Sequence, residues 1–367
     1  MKKLFSLFVL STIITTTLFA QDKKALRIGI VGLTHTHVHG ILGRPNHGDL
    51  QIVGIVETDK KLAQRYAAEH GFSMDIVYYS LDEMIAKAKP EAVAAFGSIY
   101  EHLKVVEKCA PLGIHVMVEK PLAVSMEHAK KMEALAKKNN IHLLTNYETS
   151  WYPSLHRTYE LLKKDSIGNL SQIIVRDGHR GPKKIGVNEE FLVWLTDPVQ
   201  NGGGAITDFG CYGANISTWM QNGKKPLTVT AVTQQFQPEN NPHVDDEATI
   251  ILTYEHSKTT IQASWNWPIG RKDMEVYGTT GVLFADNRNN VRMRIAQGYD
   301  WFKESTYKLD ERTAPYNDPF SLFAAVIRNE IILPSYDLSS LENNMMVVEI
   351  LDAARKSAKT GMTVKLK

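Results

Sequence analysis

From Leu26 onward, short apolar runs alternate with segments of helical periodicity, and this alternation limits the chain to few architectures. Residues 27–31, 52–56, 92–96, 115–118 and 142–144 are nearly continuous runs of Val, Ile, Ala and Leu. Strands apolar on both faces and separated by helices predict a parallel sheet covered on each side. Ser80-Leu81-Asp82-Glu83 reads as a capping box opening one helix, and Met126 to Lys138 reads as another, stopped by Asn139-Asn140. A doubly wound nucleotide-binding domain is therefore expected over 26–148. After Trp151 the strands lengthen and follow one another without helices between them: 171–176, 227–236, 248–254, 259–265 and 274–277. That pattern predicts a second α/β domain over 149–367 built on an open, mainly antiparallel sheet. A last helix should begin at the Ser339-Ser340-Leu341-Glu342 capping box and end near Lys359, before Gly361.

The 367 residues include 42 Lys plus Arg against 40 Asp plus Glu, scattered along the chain, so no field points to nucleic acid or to a membrane surface. Lys2 and Lys3 precede an apolar, hydroxyl-bearing run that ends at Ala20. This is the layout of a secretory signal over 1–20, with Leu18 imperfect for cleavage, and it predicts export to a periplasm; an uncleaved anchor is the alternative. Cys109 and Cys211 cannot form a disulfide framework and read as small buried hydrophobes.

The first strand runs into Gly32-Leu33-Thr34-His35-Thr36-His37-Val38-His39-Gly40. A dinucleotide turn uses three glycines, for the bend, for approach of the pyrophosphate and for close helix packing. Only Gly32 is kept here, with Thr34 and His37 in the other places. The second strand ends at Glu57, where a carboxylate can accept both adenosine-ribose hydroxyls and repel a 2′-phosphate, which favours NAD over NADP. His35, His37 and His39 read in two ways. They are either a polar lining beside the cofactor phosphates or, two apart on an extended segment, metal ligands completed by His102, Glu119, His179 or Asp208. A helix starting inside the segment would splay them. Glu119-Lys120-Pro121 lies at a strand's carboxyl end, where such sheets bind ligands. A lysine beside a cationic nicotinamide would lose its proton more readily and assist proton removal from an alcohol.

Glu119-Lys120-Pro121, together with Gly202-Gly203-Gly204-Ala205-Ile206-Thr207-Asp208-Phe209-Gly210-Cys211-Tyr212, Ser264-Trp265 and Tyr277-Gly278-Thr279-Thr280-Gly281, resembles the Gfo/Idh/MocA oxidoreductases over nearly everything after the leader. The resemblance implies that Lys120 is catalytic at the substrate hydroxyl and that Asp208 and Tyr212 complete the site. Many relatives carry His and Asp where this chain has Tyr212 and Asn215. The Tyr/Asn form is similar to the glucose–fructose oxidoreductase and dihydrodiol dehydrogenase branches. The resemblance also places Ser98, His102 and Asn146 beside the cofactor, and Glu148 where many relatives have arginine. His179 and Arg180 are candidates for the substrate pocket. It implies NAD-dependent oxidation of a secondary alcohol on a sugar, glycoside or polyol, in a homo-oligomer. A metal-dependent hydrolase and a non-catalytic sugar-binding relative are the alternatives from other classes.

Overall fold

The computed structural model describes residues 24–366; the leader reading lies outside them. The N-terminal sheet comprises β1 (Leu26–Val31), β2 (Leu50–Val56), β3 (Val77–Tyr78), β4 (Ala92–Ala95), β5 (His115–Glu119) and β6 (Leu143–Asn146). Its order is β3-β2-β1-β4-β5-β6 and every pairing is parallel, the arrangement of a dinucleotide-binding sheet. The helices between the strands are α1 (Val38–Leu42), α2 (Lys60–His70), α3 (Leu81–Ala88), α4 (His102–Cys109) and α5 (Met126–Asn139). Ser80 caps α3 through the Glu83 N–H and Ser125 caps α5 through the His128 N–H, so two orphan donors are met where the sequence placed helix starts.

The second part opens with α6 (Pro153–Lys163) and β7 (Leu170–Gly178). A helical stretch follows: α7 (Pro182–Ile185), α8 (Glu189–Leu195), α9 (Ala205–Asp208) and α10 (Gly210–Met220). The sheet is completed by β8 (Thr228–Gln234), β9 (Glu247–Thr253), β10 (Lys258–Ser264), β11 (Arg271–Gly278), β12 (Gly281–Ala285), β13 (Asn290–Gln297) and β14 (Trp301–Lys308). With the short β15 (Val364–Lys365) its order is β14-β13-β12-β11-β7-β10-β9-β8-β15. It is antiparallel except where β10 pairs parallel with β7. All residues of α10 are buried, so this helix forms the floor of the domain.

α11 (Pro319–Ile327) and α12 (Leu341–Thr360) then return the chain to the first domain. Phe320, Leu322, Phe323 and Val326 of α11 share a core with Ile28, Ile30, Phe96 and Trp151. On α12, Val348 belongs to the core under β4, β5 and α5, while its neighbour Val347 and Ile350, Leu351 and Ala354 belong to the core of the second domain. No helix among the described residues is long and apolar enough to cross a membrane.

Candidate active site

Gly32 follows β1 directly, with φ +83°, and a Cβ there would stand 2.9 Å from the Gly97 backbone nitrogen. The retained glycine thus serves both the bend and a close approach between the loops after β1 and β4. The next residues tuck inward: the His35 N–H bonds the Phe96 carbonyl, and His35 Nδ1 accepts the His37 N–H. The His35 ring packs on Phe191 and Trp194 of α8, with centroids 4.7 and 5.5 Å away. Burial, with neighbouring His37 and Lys120, holds its pKa well below the usual value, so it is neutral.

Glu119, at the end of β5, accepts from His37 Nδ1 and Asn146 Nδ2, each at 2.8 Å, and Asn146 Oδ1 accepts the Trp151 indole N–H at 3.0 Å. Lys120 follows. Its ammonium is paired with the Asp208 carboxylate and donates to the Asp208 carbonyl at 3.1 Å, with both side chains buried. Trp265 Nε1 donates to the other carboxylate oxygen of Asp208 at 3.0 Å. Burial opposes both charges, but each outweighs that cost for the other: the Lys120 pKa is raised and that of Asp208 lowered. The resting pair is therefore ionised, whereas the sequence suggested a readily deprotonated lysine. Tyr212 lies beside it with its ring centroid 5.2 Å from Lys120 Nζ and 4.7 Å from Lys272 Nζ. Burial raises its pKa well above the ordinary value, so it acts as a neutral phenol.

A cavity of about 520 Å³ opens over this group. Lys120, Asp208, Tyr212, Glu148 and His179 line it together with His35 and His37. Arg180 is exposed and is absent from the lining. Glu148 pairs with Lys272 and accepts from the Tyr152 hydroxyl at 2.5 Å; burial works against its charge, but Lys272 and Tyr152 hold its pKa down at about 2. His179 packs edge-on against Phe209 at 4.9 Å, and burial lowers its pKa. Of the more distant residues, Ser98 bonds Glu101 and Gln200, and His102 bonds the Leu122 carbonyl with its pKa lowered by burial to about 4. Asn215 is buried away from the cavity, its amide on the Leu338 carbonyl. Cys109 and Cys211 are buried free thiols with raised pKa values, as expected of packing residues.

Three residues in or next to the cavity escaped the sequence reading: Lys272 and Tyr152 line it, and Asp177 lies behind them. Lys272 sits at the start of β11, a strand expected to begin only at Met274. Tyr152 was hidden at a helix start. Asp177 is fully buried on β7, neither carboxylate oxygen has a partner, and burial pushes its pKa up to about 8. Alternation along β7 turns Asp177 inward, and this was the available signal. The histidine triplet is divided: His35 and His37 line the cavity and group with the buried Glu119, whereas His39 lies outside beside Glu69 and His70. α1 begins at Val38 and separates them.

A dinucleotide fits the carboxyl edge of this sheet. Besides the Gly32 cradle, His35 Nε2, Thr36 Oγ1 and His102 Nε2 are buried there without partners. Glu57 accepts the Leu33 and Asp59 N–H groups, one on each oxygen, and a carboxylate oxygen retains further acceptor capacity.

Residues 26–147 match an oxidoreductase family with an NAD-binding Rossmann fold, and residues 155–284 match the GFO/IDH/MocA C-terminal domain. The chain is 27% identical over 314 residues to the trans-1,2-dihydrobenzene-1,2-diol dehydrogenase of Xenopus tropicalis, covering 83% of this chain and 89% of that protein. The human enzyme of the same name is 27% identical, over 63% of this chain and 65% of its own length. Among solved structures, an inositol dehydrogenase homologue of Azotobacter vinelandii complexed with NAD+ superposes with a TM-score of 0.80 at 16% identity, covering 94% of this chain and 98% of that one. An aldose–aldose oxidoreductase of Caulobacter crescentus gives 0.76 at 19% identity, covering 93% and 100%. A Rossmann sheet whose carboxyl edge meets a buried lysine–aspartate pair across one cavity defines a two-domain, dinucleotide-dependent oxidoreductase. The chain belongs to the Gfo/Idh/MocA oxidoreductase family.

Proposed function

We propose that this protein oxidises, reversibly, a secondary alcohol on a sugar, glycoside or related polyol with NAD. The observation that carries the reading is the Lys120–Asp208 pair, supplied by two domains, buried beside Tyr212 in one polar-rimmed cavity. NAD, when bound, supplies the two-electron acceptor. The loop from Gly32 to His37 and the Glu57 carboxylate would hold it, with Ser98, His102, Glu119 and Asn146 around its path. Lys120 exchanges the proton of the substrate oxygen: charged, it donates to a carbonyl oxygen, and neutral, it receives from a hydroxyl. Asp208 orients Lys120 and sustains its charge, and the Trp265 N–H in turn orients Asp208. Tyr212 offers a hydroxyl for hydrogen bonding, and Glu148, Lys272 and His179 present polar groups to a hydroxylated ligand.

The same proposal includes export by the segment at 1–20 and NAD retained through a closed cycle, because a periplasm supplies little free nicotinamide. It also includes assembly of copies through the open sheet face, where Val232 and Ile251 are exposed. The decisive experiment denatures the purified mature protein and identifies the released nucleotides. NAD near one per chain supports the reading. Absence of nucleotide, with no thermal shift on adding NAD or NADP, would overturn it, and NADH accumulating in steady turnover would overturn the closed cycle alone. The metal-hydrolase alternative draws no support from the family matches, which are to an oxidoreductase in both parts of the chain.

A further inference from the structure

The third histidine of the triplet has no part in the cavity. α1 turns His39 toward the C-terminal end of α2, where His39 Nδ1 lies 2.8 Å from His70 Nε2. One oxygen of Glu69 lies 3.5 Å from the first nitrogen and 3.7 Å from the second. Three donors from two helices therefore converge on one point. Donors placed tetrahedrally on a zinc ion, with bonds of about 2.0 Å, stand about 3.3 Å apart, and the observed separations match this to within about 0.5 Å. The Tyr66 ring, 4.7 Å from that of His39, fixes its orientation. The side chains of His39, Glu69 and His70 are 27%, 52% and 11% exposed, which leaves the remaining coordination position open to water.

We propose that His39, Glu69 and His70 form a binding site for a late first-row divalent cation such as Zn²⁺, separate from the catalytic cavity. Two imidazoles and one carboxylate suit zinc, whereas Mg²⁺ and Ca²⁺ require oxygen donors. In the metal-free protein the two rings share one hydrogen bond. On binding, the ring that donates it moves that proton to its other nitrogen, and the cation takes both lone pairs. The cation ties α1 to α2. α1 has five residues and no side-chain cap, and it begins one residue beyond His37. A bridge here therefore fastens the end of the loop from Gly32 to His37.

The test titrates ZnCl2 calorimetrically into chelator-treated full-length protein, alongside His39→Gln, His70→Ala and Glu119→Gln. The expected result is one Zn²⁺ per chain in the wild type and in Glu119→Gln. Affinity should fall about 100-fold or more in either histidine variant, since loss of even an outer-sphere partner costs up to that much. Zinc should also raise the unfolding temperature of the wild type and not that of His39→Gln. His39 is part-exposed, so this variant stands as the test if His70→Ala does not fold. The proposal is overturned if zinc does not bind or if both histidine variants bind it unchanged. It is also overturned if only Glu119→Gln loses it, which would place the ion at His35, His37 and Glu119.

Discussion

Lys120 is charged at rest because Asp208 faces it in a region that water does not screen. Lys120→Ala should lower turnover by about 10²–10⁴-fold, the usual worth of a positioned proton donor, while NAD still shifts the unfolding temperature. Lys120→Arg should not restore it, since a planar guanidinium replaces a compact ammonium. The raised pKa also sets a direction: oxidation, which needs neutral Lys120, should accelerate as pH rises above neutral, whereas carbonyl reduction, which uses the charged form, should stay level until pH reaches the raised lysine pKa. Initial rates in both directions across pH check this, and identical profiles would count against Lys120 as the exchanging group. Asp177 gives the opposite case. Its carboxyl keeps a proton up to about pH 8 in the folded chain, whereas the ordinary group releases it near 3.8. Between those values the folded state binds more protons than the unfolded one, so this group's contribution falls as pH rises across the window. Asp177→Asn does not titrate. Its melting temperature should match the wild type near pH 4 and exceed it by several degrees at pH 8; parallel curves would refute the assignment.

At the scale of elements, the turn into α9 decides where Asp208 stands. Asp245 accepts the Gly204 and Ile206 N–H groups on its carboxylate and the Ala205 N–H on its carbonyl. A Cβ on Gly204 would lie 1.7 Å from that carbonyl oxygen. Gly204→Ala should therefore cost about 1–3 kcal/mol by overpacking and move the start of α9. Reduced turnover with an unchanged NAD dissociation constant is expected, and wild-type melting and turnover would contradict the role given to this turn. The elements that were legible in the sequence carry a one-dimensional signal. β1, β2, β4, β5 and β6 are continuous apolar runs, α3 and α12 announce themselves by serine caps, and α5 by its stop at Asn139-Asn140. β13 and β14 were not legible, since Arg292 and Arg294 pair with Glu304 across a solvated face rather than alternating with a core. The parallel β7–β10 pairing and the return of α11 depend on contacts distant in sequence. The same holds for the site. Lys120, Asp208 and Tyr212 could be found because each sits in a compact motif, but Lys272 acquires its role from Glu148, 124 residues earlier, and Asp177 acquires its own from burial by the elements packed around it.

For the whole molecule, the consequence of α11 and α12 is mechanical. α11 fills the core of the first domain and is tied to it by Arg44, which bonds Asp49, Asp318 and Ser321, and by Arg328 on Glu91. α12 divides its apolar residues between two cores, with Val348 in one and Val347, Ile350 and Leu351 in the other. Neither domain keeps a complete core if the other unfolds, because the missing helix would expose several large side chains, each worth about 1.5–3 kcal/mol when buried. The two domains should therefore melt as one unit, although a chain of this size with two sheets could show two steps. Calorimetry on the full-length protein should give a single transition whose van't Hoff and calorimetric enthalpies agree. Val348→Ala, which removes two buried methyl groups next to α5, should cost about 2 kcal/mol. It should lower that one transition without splitting it. A variant melt in which an early step appears alone, with the second domain's transition unmoved, would show that α12 does not couple the two cores. The cofactor edge and the substrate cavity would then be joined only by the loops that line them.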